Sequence, residues 1–248
     1  MLFRRMLQKI HQQKKAQSIP EVVSLFHQSA DFVEYSHTLK GKEIYLSYFQ
    51  TMIDTERLNR ELTPHLTSGR LNDLWENIPI ENKIISTSAQ EVQESVMRGY
   101  IMIREHGDWT RCLLVEVSVK SDREVTTPEN EFSVAGPQEA FIESIDTNVN
   151  LIRKRLPLSQ LKVEELSIGK MTQTKVMLLY IDGLADQTNI NTMRQRLEAV
   201  EYDQIIDANS LAQMIYDNTW SIFPQLINTE RPERVTSVLC EGKVAFFV

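Results

Sequence analysis

The sequence is poor in glycine and cysteine. Its eight glycines are never closer than eight residues apart, so it contains neither a G-x-G-x-x-G turn nor a P-loop to hold phosphate groups. Its two cysteines, Cys112 and Cys240, lie within apolar patterns and form no C-x-x-C pair. That usage favours buried thiols in a reducing compartment over a metal site, with a disulfide between the two as the alternative. These shortages exclude nucleotide binding by the glycine-rich routes.

Long apolar runs are also missing. The two longest, residues 176–181 and 244–248, fall far short of the roughly 20 residues that cross a bilayer. The five histidines have no metal-ligand spacing with one another or with the cysteines, and no serine lies in a G-x-S-x-G elbow. We therefore predict a folded intracellular chain that binds no metal or cofactor and is not an enzyme.

Basic residues are fewer than acidic ones, 27 against 34, and the formal net charge is -7. Five of the basic residues and none of the acidic ones lie in residues 1–17, so the remainder is strongly acidic and unsuited to nucleic acid. Residues 1–10 have the pattern of a short basic amphipathic helix, which indicates contact with an anionic membrane surface or a partner. A solvated tail is the alternative. We define residues 1–27 as a basic N-terminal segment.

The chain contains an internal duplication. Residues 43–54 align with 175–186 at an offset of 132, and residues 92–103 align with 235–246 at an offset of 143. The first block of each copy has the pattern of a strand, a loop and a helix, and the second has that of a helix, a glycine and a strand. The larger second offset places about eleven extra residues between the blocks of the second copy.

Each copy also predicts a hairpin and a helix end at matching places. Residues 31–39 and 161–168 have the pattern of strands before the first blocks, and their short links to those blocks predict antiparallel hairpins. Gly99 and Gly242 lie where each second helix would end in a left-handed residue. The local signals of the two copies therefore agree.

The strongest helix pattern lies between the two copies, over residues 137–156. Its apolar stripe comprises Phe141, Ile145, Val149, Ile152 and Leu156. A Gly-Pro pair precedes it, an acidic first half and a basic last turn complement the helix dipole, and the basic run is expected to be solvated rather than an anion site. The residues assigned to this structural or signal-transmitting helix are Gly136, Pro137, Glu139, Phe141, Arg153 and Arg155.

These patterns predict an α/β fold with two related lobes, each a mixed sheet with covering helices, joined by a linker and the long helix. The first lobe is assigned to residues 28–125, the linker to 126–136 and the second lobe to 137–248. Because the second copy stops where a return strand would begin, we expect the natural chain to continue past residue 248.

Polar side chains follow the matched strand of each copy. Asp182 and Asp186 lie at the carboxyl end of the second-copy strand, where α/β proteins usually bind ligands, and Gln50 and Asp54 are their first-copy counterparts. These four residues form the candidate ligand-binding set. The alternative, a turn at Asp182 with helix N-caps at Asp54 and Asp186, is favoured because only the cap position is acidic in both copies. Three tryptophans near loop signals either line a pocket or pack at domain edges: Trp75, Trp109 and Trp220.

Three separated stretches resemble a known family. They are residues 134–156, 174–186 and 223–235, the last running on to 241–245. In these ungapped blocks the chain resembles the A subunits of bacterial spore germinant receptors of the GerA type. The resemblance is close over residues 134–248 and looser over 30–120. It departs from the usual family pattern at Gln138, at Ala140 and at residues 49–51.

The resemblance implies a cellular setting that composition does not. It implies that the full-length protein continues into a membrane domain of several helices in the spore inner membrane, with this part on the cytoplasmic, spore-core side. It implies the B and C subunits of the same receptor as partners, and it allows a homo-oligomer in the intact receptor. The family is similar to ligand-gated channels that answer a small nutrient such as an amino acid, a sugar or a nucleoside.

Three functions follow as hypotheses, ranked in this order. The first is a bilobed domain that takes part in nutrient sensing and in the signal transmission that triggers spore germination. The second is a scaffold domain for receptor subunit assembly that binds no small molecule. The third is a metal-assisted hydrolase that uses Asp182 and Asp186.

Overall fold

A computed structural model of the chain describes residues 16–39, 41–119, 139–205, 207–216 and 225–248. The chain divides into two compact units, Met1–Arg123 with Pro157–Ser159 and Glu124–Leu156 with Gln160–Val248. Each unit has its own sheet with helices packed on it, which confirms the predicted α/β class. The predicted domain boundaries stay a prediction.

The first unit has nine principal elements in its described part. Its strands are β1 Phe32–Leu39, β2 Lys42–Phe49, β3 Lys83–Ser86, β4 Tyr100–Glu105 and β5 Cys112–Glu116. Its helices are α1 Ile19–Phe26, α2 Thr55–Arg57, α3 Leu71–Asn77 and α4 Ala89–Val96, and α2 runs on through a π-helical turn at Leu58–Leu62. The sheet order is β1-β2-β4-β5-β3, and every neighbouring pair is antiparallel.

The five-stranded sheet buries apolar residues on both faces, because its strands carry apolar side chains at successive positions. On one face α1 and α4 pack over Phe32, Phe49 and Leu114. The ring centroids of Phe26 and Phe49 are 4.9 Å apart. The other face carries Leu46 and Ile103, covered by the turn after α2 and by α3.

Helix α1 lies within residues 1–27, the stretch that the sequence assigned to a basic N-terminal segment. Ile19, Val22, Val23 and Phe26 are all buried in the first core. Their i, i+3, i+4, i+7 spacing, with Pro20 in the first turn, is the signal of an amphipathic helix. Helix α1 therefore contributes to the core of the first unit.

The second unit repeats the pattern with fewer strands. Its described elements are α5 Ile145–Arg155, β6 Leu161–Ile168, β7 Thr174–Ile181, α6 Gln187–Glu198, α7 Ala208–Met214, α8 Pro232–Cys240 and β8 Ala245–Phe247. The sheet order is β6-β7-β8, again with antiparallel pairs. Helix α5 packs beside α8 as α1 packs beside α4 in the first unit. A helix, a hairpin, further helices and a returning strand thus occur twice.

Strand register confirms the duplication at the level of single residues. Leu46 pairs with Ile103 in the first sheet, and Leu178 pairs with Phe246 in the second. These are equivalent pairs at the offsets of 132 and 143 found in the sequence. The two predicted hairpins are also present, from Phe32 opposite Phe49 and from Leu161 opposite Ile181.

The glycine that ends the second helix of each copy occupies the same environment. Gly99 has φ +90° and Gly242 has φ +80°, as the helix-end prediction requires. A Cβ at Gly99 would lie 2.8 Å from the carbonyl oxygen of Met52, and one at Gly242 would lie 2.8 Å from that of Leu184. Met52 and Leu184 are themselves equivalent at the offset of 132. Any other residue at either position is therefore disfavoured for two reasons, the positive φ and the lack of space for a Cβ.

The predicted helix over residues 137–156 is wrong over residues 139–144, and residues 137 and 138 lie outside the described part of the chain. Helix α5 begins at Ile145, where the Ser144 hydroxyl accepts a hydrogen bond from the backbone N–H of Thr147 at 3.3 Å. Before it, the Asn148 side chain accepts from the Ile142 backbone N–H at 2.9 Å and donates to the Ile142 carbonyl at 2.7 Å. This local pairing satisfies the backbone outside a helix, so the chain needs no helical bonds there.

Both cysteines are buried free thiols, as the sequence predicted. Burial raises the pKa of Cys112 to about 12, so this thiol is uncharged and unreactive at neutral pH. Within the described part of the chain, every helix is too short or too polar to span a membrane.

Candidate functional site

The predicted ligand-binding residues lie at equivalent turns after β2 and β7. The backbone N–H of Gln50 donates to the Asp31 carbonyl, and that of Asp182 donates to the Gln160 carbonyl, each at 2.8 Å. The Gln50 and Asp182 side chains are both exposed. The two units therefore share the backbone hydrogen bond that starts the turn, and they leave both side chains exposed.

The predicted caps are confirmed. An Asp54 carboxylate oxygen accepts from the Arg57 backbone N–H at 3.0 Å, and an Asp186 oxygen accepts from that of Thr188 at 2.7 Å. The Thr188 hydrogen bonds lower the pKa of Asp186. Among the described residues, no group of three or more His, Cys, Asp or Glu is arranged to hold a metal ion. Capping accounts for both carboxylates, and a ligand-binding role for the four residues stays a prediction.

The residues assigned to the long helix do not act as one helix face. Gly136 and Pro137 lie outside the described residues, and Phe141 precedes α5, with its ring centroid 4.8 Å from that of Phe247. Arg155 forms an ion pair with Glu139. Arg153 is only 3% exposed, so the expectation of a solvated basic end is wrong for this residue.

A buried arginine in the first unit was missed by the sequence search. Arg104, on β4, is 5% exposed, and its guanidinium carbon lies 4.0 Å from the Tyr45 ring centroid and 3.8 Å from that of Trp109. Its Nη2 lies 3.4 Å from a Glu34 carboxylate oxygen, which neutralises the charge. Trp109 thus covers a charged side chain, in line with the packing alternative for the tryptophans. No periodicity signals such a cluster, because its members come from four separate segments.

A polar recess lies at the end of the same sheet where β2 starts and β4 ends. It has a volume of about 220 Å³ and is lined by Lys42, Arg70, Asn72, Asp73, Glu105 and Arg111. Lys42 is the first residue of β2 and Glu105 is the last residue of β4. Arg70, Asn72 and Asp73 lie at the start of α3. We call these six residues the charged recess.

Both carboxylates of the charged recess already have partners. A Glu105 oxygen accepts from the Leu71 backbone N–H at 3.0 Å and lies 3.6 Å from Nη2 of Arg111. An Asp73 oxygen accepts from the Ser68 hydroxyl at 2.6 Å. Arg111 Nη1 also donates to the Asn72 side-chain oxygen at 3.4 Å. These bonds hold α3 and the loop before β5 against the end of β4.

Two cations of the charged recess differ from the third. Within the described part of the chain, Lys42 and Arg70 form no ion pair, whereas Arg111 pairs with both Glu105 and Asp108. The backbone of Gly69 lies so close to Lys42 that a Cβ there would be 2.3 Å from the Lys42 Cβ. The backbone positions of Lys42 and Arg70 are thereby fixed beside each other.

The profile of the family described as Bacillus/Clostridium GerA spore germination protein matches residues 21–248 of this chain. That match covers most of the chain and both units. The chain belongs to the GerA family.

Named relatives agree with this GerA assignment. The chain is 37% identical to spore germination protein GerQA of Bacillus cereus over 234 residues, which cover 93% of this chain and 47% of that protein. It is 38% identical to spore germination protein GerIA of Bacillus cereus over 236 residues, covering 93% of this chain and 35% of that protein. The chain thus spans half or less of the length of these relatives. Neither name denotes an enzyme.

A solved structure shares the GerA fold described above. The crystal structure of the N-terminal domain of the A subunit of the Bacillus megaterium spore germinant receptor GerK3 matches with a TM-score of 0.67 at 23% identity. The match covers 95% of this chain and 94% of that chain. At this identity the likeness establishes the fold, and the role of any side chain has to be argued from this chain itself.

Proposed function

We propose that this chain is the N-terminal domain of a germinant receptor A subunit and takes part in the nutrient sensing and signal transmission that trigger germination. The observation that carries the proposal is the family match over residues 21–248, which includes both units. The proposal assigns no catalytic step to the chain. Its partners are the B and C subunits of the same receptor, and its place is the cytoplasmic side of the spore inner membrane.

The geometry favours a binding and relay role over chemistry. In the described part of the chain, Asp54 and Asp186 serve as helix caps, and the two thiols are buried. The charged recess, in contrast, presents two cations without ionic partners in a concave site. Concave sites with a few convergent polar groups are where small ligands bind.

A deletion in the full-length gene tests the proposal. Spores whose receptor lacks residues 16–248 are compared with wild-type spores and with spores lacking the whole receptor, and optical density is followed after addition of amino acids, sugars and nucleosides. We expect the deletion to abolish the nutrient response while the B and C subunits stay at wild-type levels on immunoblots. An unchanged response would contradict the proposal.

A scaffold for subunit assembly is the second candidate, and one observation favours it. Strand β3 is an edge of the five-stranded sheet, yet Ile84 is 41% exposed and Ile85 is 37% exposed. Apolar side chains on an exposed edge strand are typical of contact with another chain. If the deletion above also removes the B and C subunits from the membrane, the scaffold role replaces sensing.

Substitution at β3 tests the scaffold role without touching a core. The double variant Ile84→Thr, Ile85→Thr should reduce recovery of the B and C subunits with the full-length protein at least tenfold. Met171→Thr, at a residue 80% exposed in the second unit, serves as the matched control. Phe141 is less suitable as a target, because its ring packs on Phe247 within the second unit. Equal recovery from all variants would contradict the scaffold role.

A further inference from the structure

We propose that the outer edge of β8 pairs with a further antiparallel strand of apolar residues, supplied by the residues that follow Val248 in the full-length protein. The sequence predicts that the chain continues there, and the inference says what the first of those residues do. It goes beyond the proposed function and does not rest on it. We call residues 244–248 the open edge.

The two units differ in what lies beside equivalent strands. In the first unit, β4 lies between β2 and β5 and pairs with both. Strand β8, its equivalent at the offset of 143, pairs with β7 on one side. In the described part of the second unit no strand lies on the other side of β8. Nothing described there corresponds to β5.

Burial follows this difference. Residues 101–103 on β4 are at most 1% exposed, whereas their equivalents, residues 244–246, are only half-buried. The faces of the second sheet are not the cause, because Phe246 packs against the core of its unit and the Phe247 ring lies against that of Phe141. The difference therefore lies at the outer edge, on the side where β5 covers β4.

The open edge has no residue that would block pairing. It is a run of five apolar residues without a charge or a proline. Edge strands that stay unpaired usually carry charged residues or proline, which prevent contact with another strand. The other edge of the same sheet is β6, and it carries Lys162, Glu164 and Glu165. One edge of the sheet is thus protected and the other is suited to a neighbour.

Strand register shows which backbone groups a new strand would meet. In the first unit the Val117 N–H donates to the Gly99 carbonyl at 3.2 Å, across the side of β4 that faces β5. Backbone groups alternate in direction along an antiparallel strand, so Ile103, four positions further on, also directs its N–H and C=O toward β5. Phe246 is the equivalent of Ile103 at the offset of 143. Its N–H and C=O therefore point away from β7.

Two observations favour the protein's own continuation as the source of the strand. In the first unit the strand beside β4 is the next one in sequence, β5, reached through residues 106–111. The duplication predicts the same order in the second unit. The aligned part also covers only 47% of GerQA and 35% of GerIA, so these relatives have many residues outside it. Because four of the five residues of β5 are buried, we expect the new strand to be apolar at successive positions as well.

Residue-resolved hydrogen exchange of the full-length protein, purified alone in detergent, tests the inference. We expect the Phe246 amide to exchange at least about 100-fold more slowly than an unstructured amide, as the Ala245 amide does on the side of β7. Ile103 is the matched paired control, because β5 covers it. Ser36 is the matched open-edge control, because its N–H points away from β2 on the edge strand β1. In the 248-residue chain, Phe246 should exchange as fast as Ser36 while Ala245 stays protected.

Three results would overturn the inference. The first is a Phe246 amide that exchanges as fast as Ser36 in the full-length protein, whether or not Ala245 is protected. The second is protection of Phe246 that requires the B or C subunit, which would assign the open edge to a partner. The third is protection of Phe246 in the 248-residue chain that rises with protein concentration, which would place a second copy of the chain on the open edge. None of these results alters the deletion experiment, which measures the response of the spore to nutrients.

Discussion

Arg104 is a charge buried between two aromatic rings, and its environment explains how the first unit tolerates it. Tyr45 and Trp109 cover the two faces of the guanidinium, and Glu34 supplies the counter-charge. Glu34 is held in turn by the Ser47 hydroxyl at 2.7 Å. The position equivalent to Arg104 in the second unit is Phe247, an apolar residue. The equivalent position is thus filled by a paired charge in the first copy and by an apolar ring in the second.

Replacing Arg104 should therefore be costly. We expect Arg104→Met to lower the free energy of unfolding by about 2–4 kcal/mol, because it strands the Glu34 carboxylate and removes the stacking on both rings. Arg98→Met, at an exposed arginine, should change it by less than about 0.5 kcal/mol. Urea unfolding followed by tryptophan fluorescence measures both. Equal stability of the two variants would show that the buried charge makes no net contribution to the free energy of unfolding.

Glu164 gives the second unit a sensitivity to acid. Burial raises its pKa, but hydrogen bonds from Arg194 and Tyr180 outweigh that effect, so the pKa is lowered overall. Its two oxygens accept from Arg194 Nη2 at 2.7 Å and Nε at 2.9 Å. The paired carboxylate thus joins β6 to α6 in its charged form.

Acidification should weaken the second unit through this group. Because the folded pKa lies below the unfolded value of about 4.3, the stabilisation is complete above that value and is lost as the pH falls through the folded pKa. We expect Glu164→Gln to melt lower than wild type at pH 6 and to lose less stability between pH 5 and pH 3. Glu165→Gln, at the next and half-exposed residue of β6, is the control. Amide signals of β6 and β7 followed during thermal melting provide the measurement, and identical pH profiles for all three proteins would refute the role of Glu164.

At the scale of elements, the start of α5 is where sequence and structure differ most. A Gly-Pro pair and an apolar stripe predicted a start at residue 137, but stripes of this kind also occur where an extended segment leads into a helix. The local competitors are Ser144 as N-cap and the Asn148 side chain pairing with Ile142. Their short-range hydrogen bonds outweigh the periodic signal.

One substitution discriminates between the two starts of α5. With α5 beginning at Ile145, Ser144→Ala removes a cap and should destabilise the second unit by about 1 kcal/mol. In a helix that began at residue 137, Ser144 would be an interior residue, and the same change would stabilise the chain by a few tenths of a kcal/mol. Ser144→Asp, which keeps a cap acceptor, should stay close to wild type. The sign of the change, read from urea unfolding, decides between them.

The hairpins were predictable because a short link joins the two strand patterns in each copy and because the two copies agree. Helix α1 was not predicted, because Ile19, Val22 and Phe26 were assigned to the same segment as the basic residues that precede them. The charged recess was also beyond reach from the sequence. Lys42, Arg70 and Glu105 lie far apart in the chain, and only the folded sheet brings them to one end. The capping residues, in contrast, carry their signal within four positions.

At the scale of the whole molecule, the duplication accounts for both units, and it makes the equivalent glycines a test. We expect Gly99→Ala and Gly242→Ala each to cost at least about 2 kcal/mol, because each combines a positive φ with a contact to a carbonyl oxygen. Gly107→Ala is the control, since Gly107 has φ +76° but open space at its Cβ. It should cost only about 1 kcal/mol. Hydrogen exchange of amides in each sheet would report the losses, and a control as damaging as the others would remove the spatial argument.

The matching glycine contacts also make the chain its own internal standard. Any measurement on one sheet can be paired with the identical change at the homologous site in the other, under one set of solution conditions and in one molecule. Differences between the paired results would then isolate what each half acquired after the ancestral copying event.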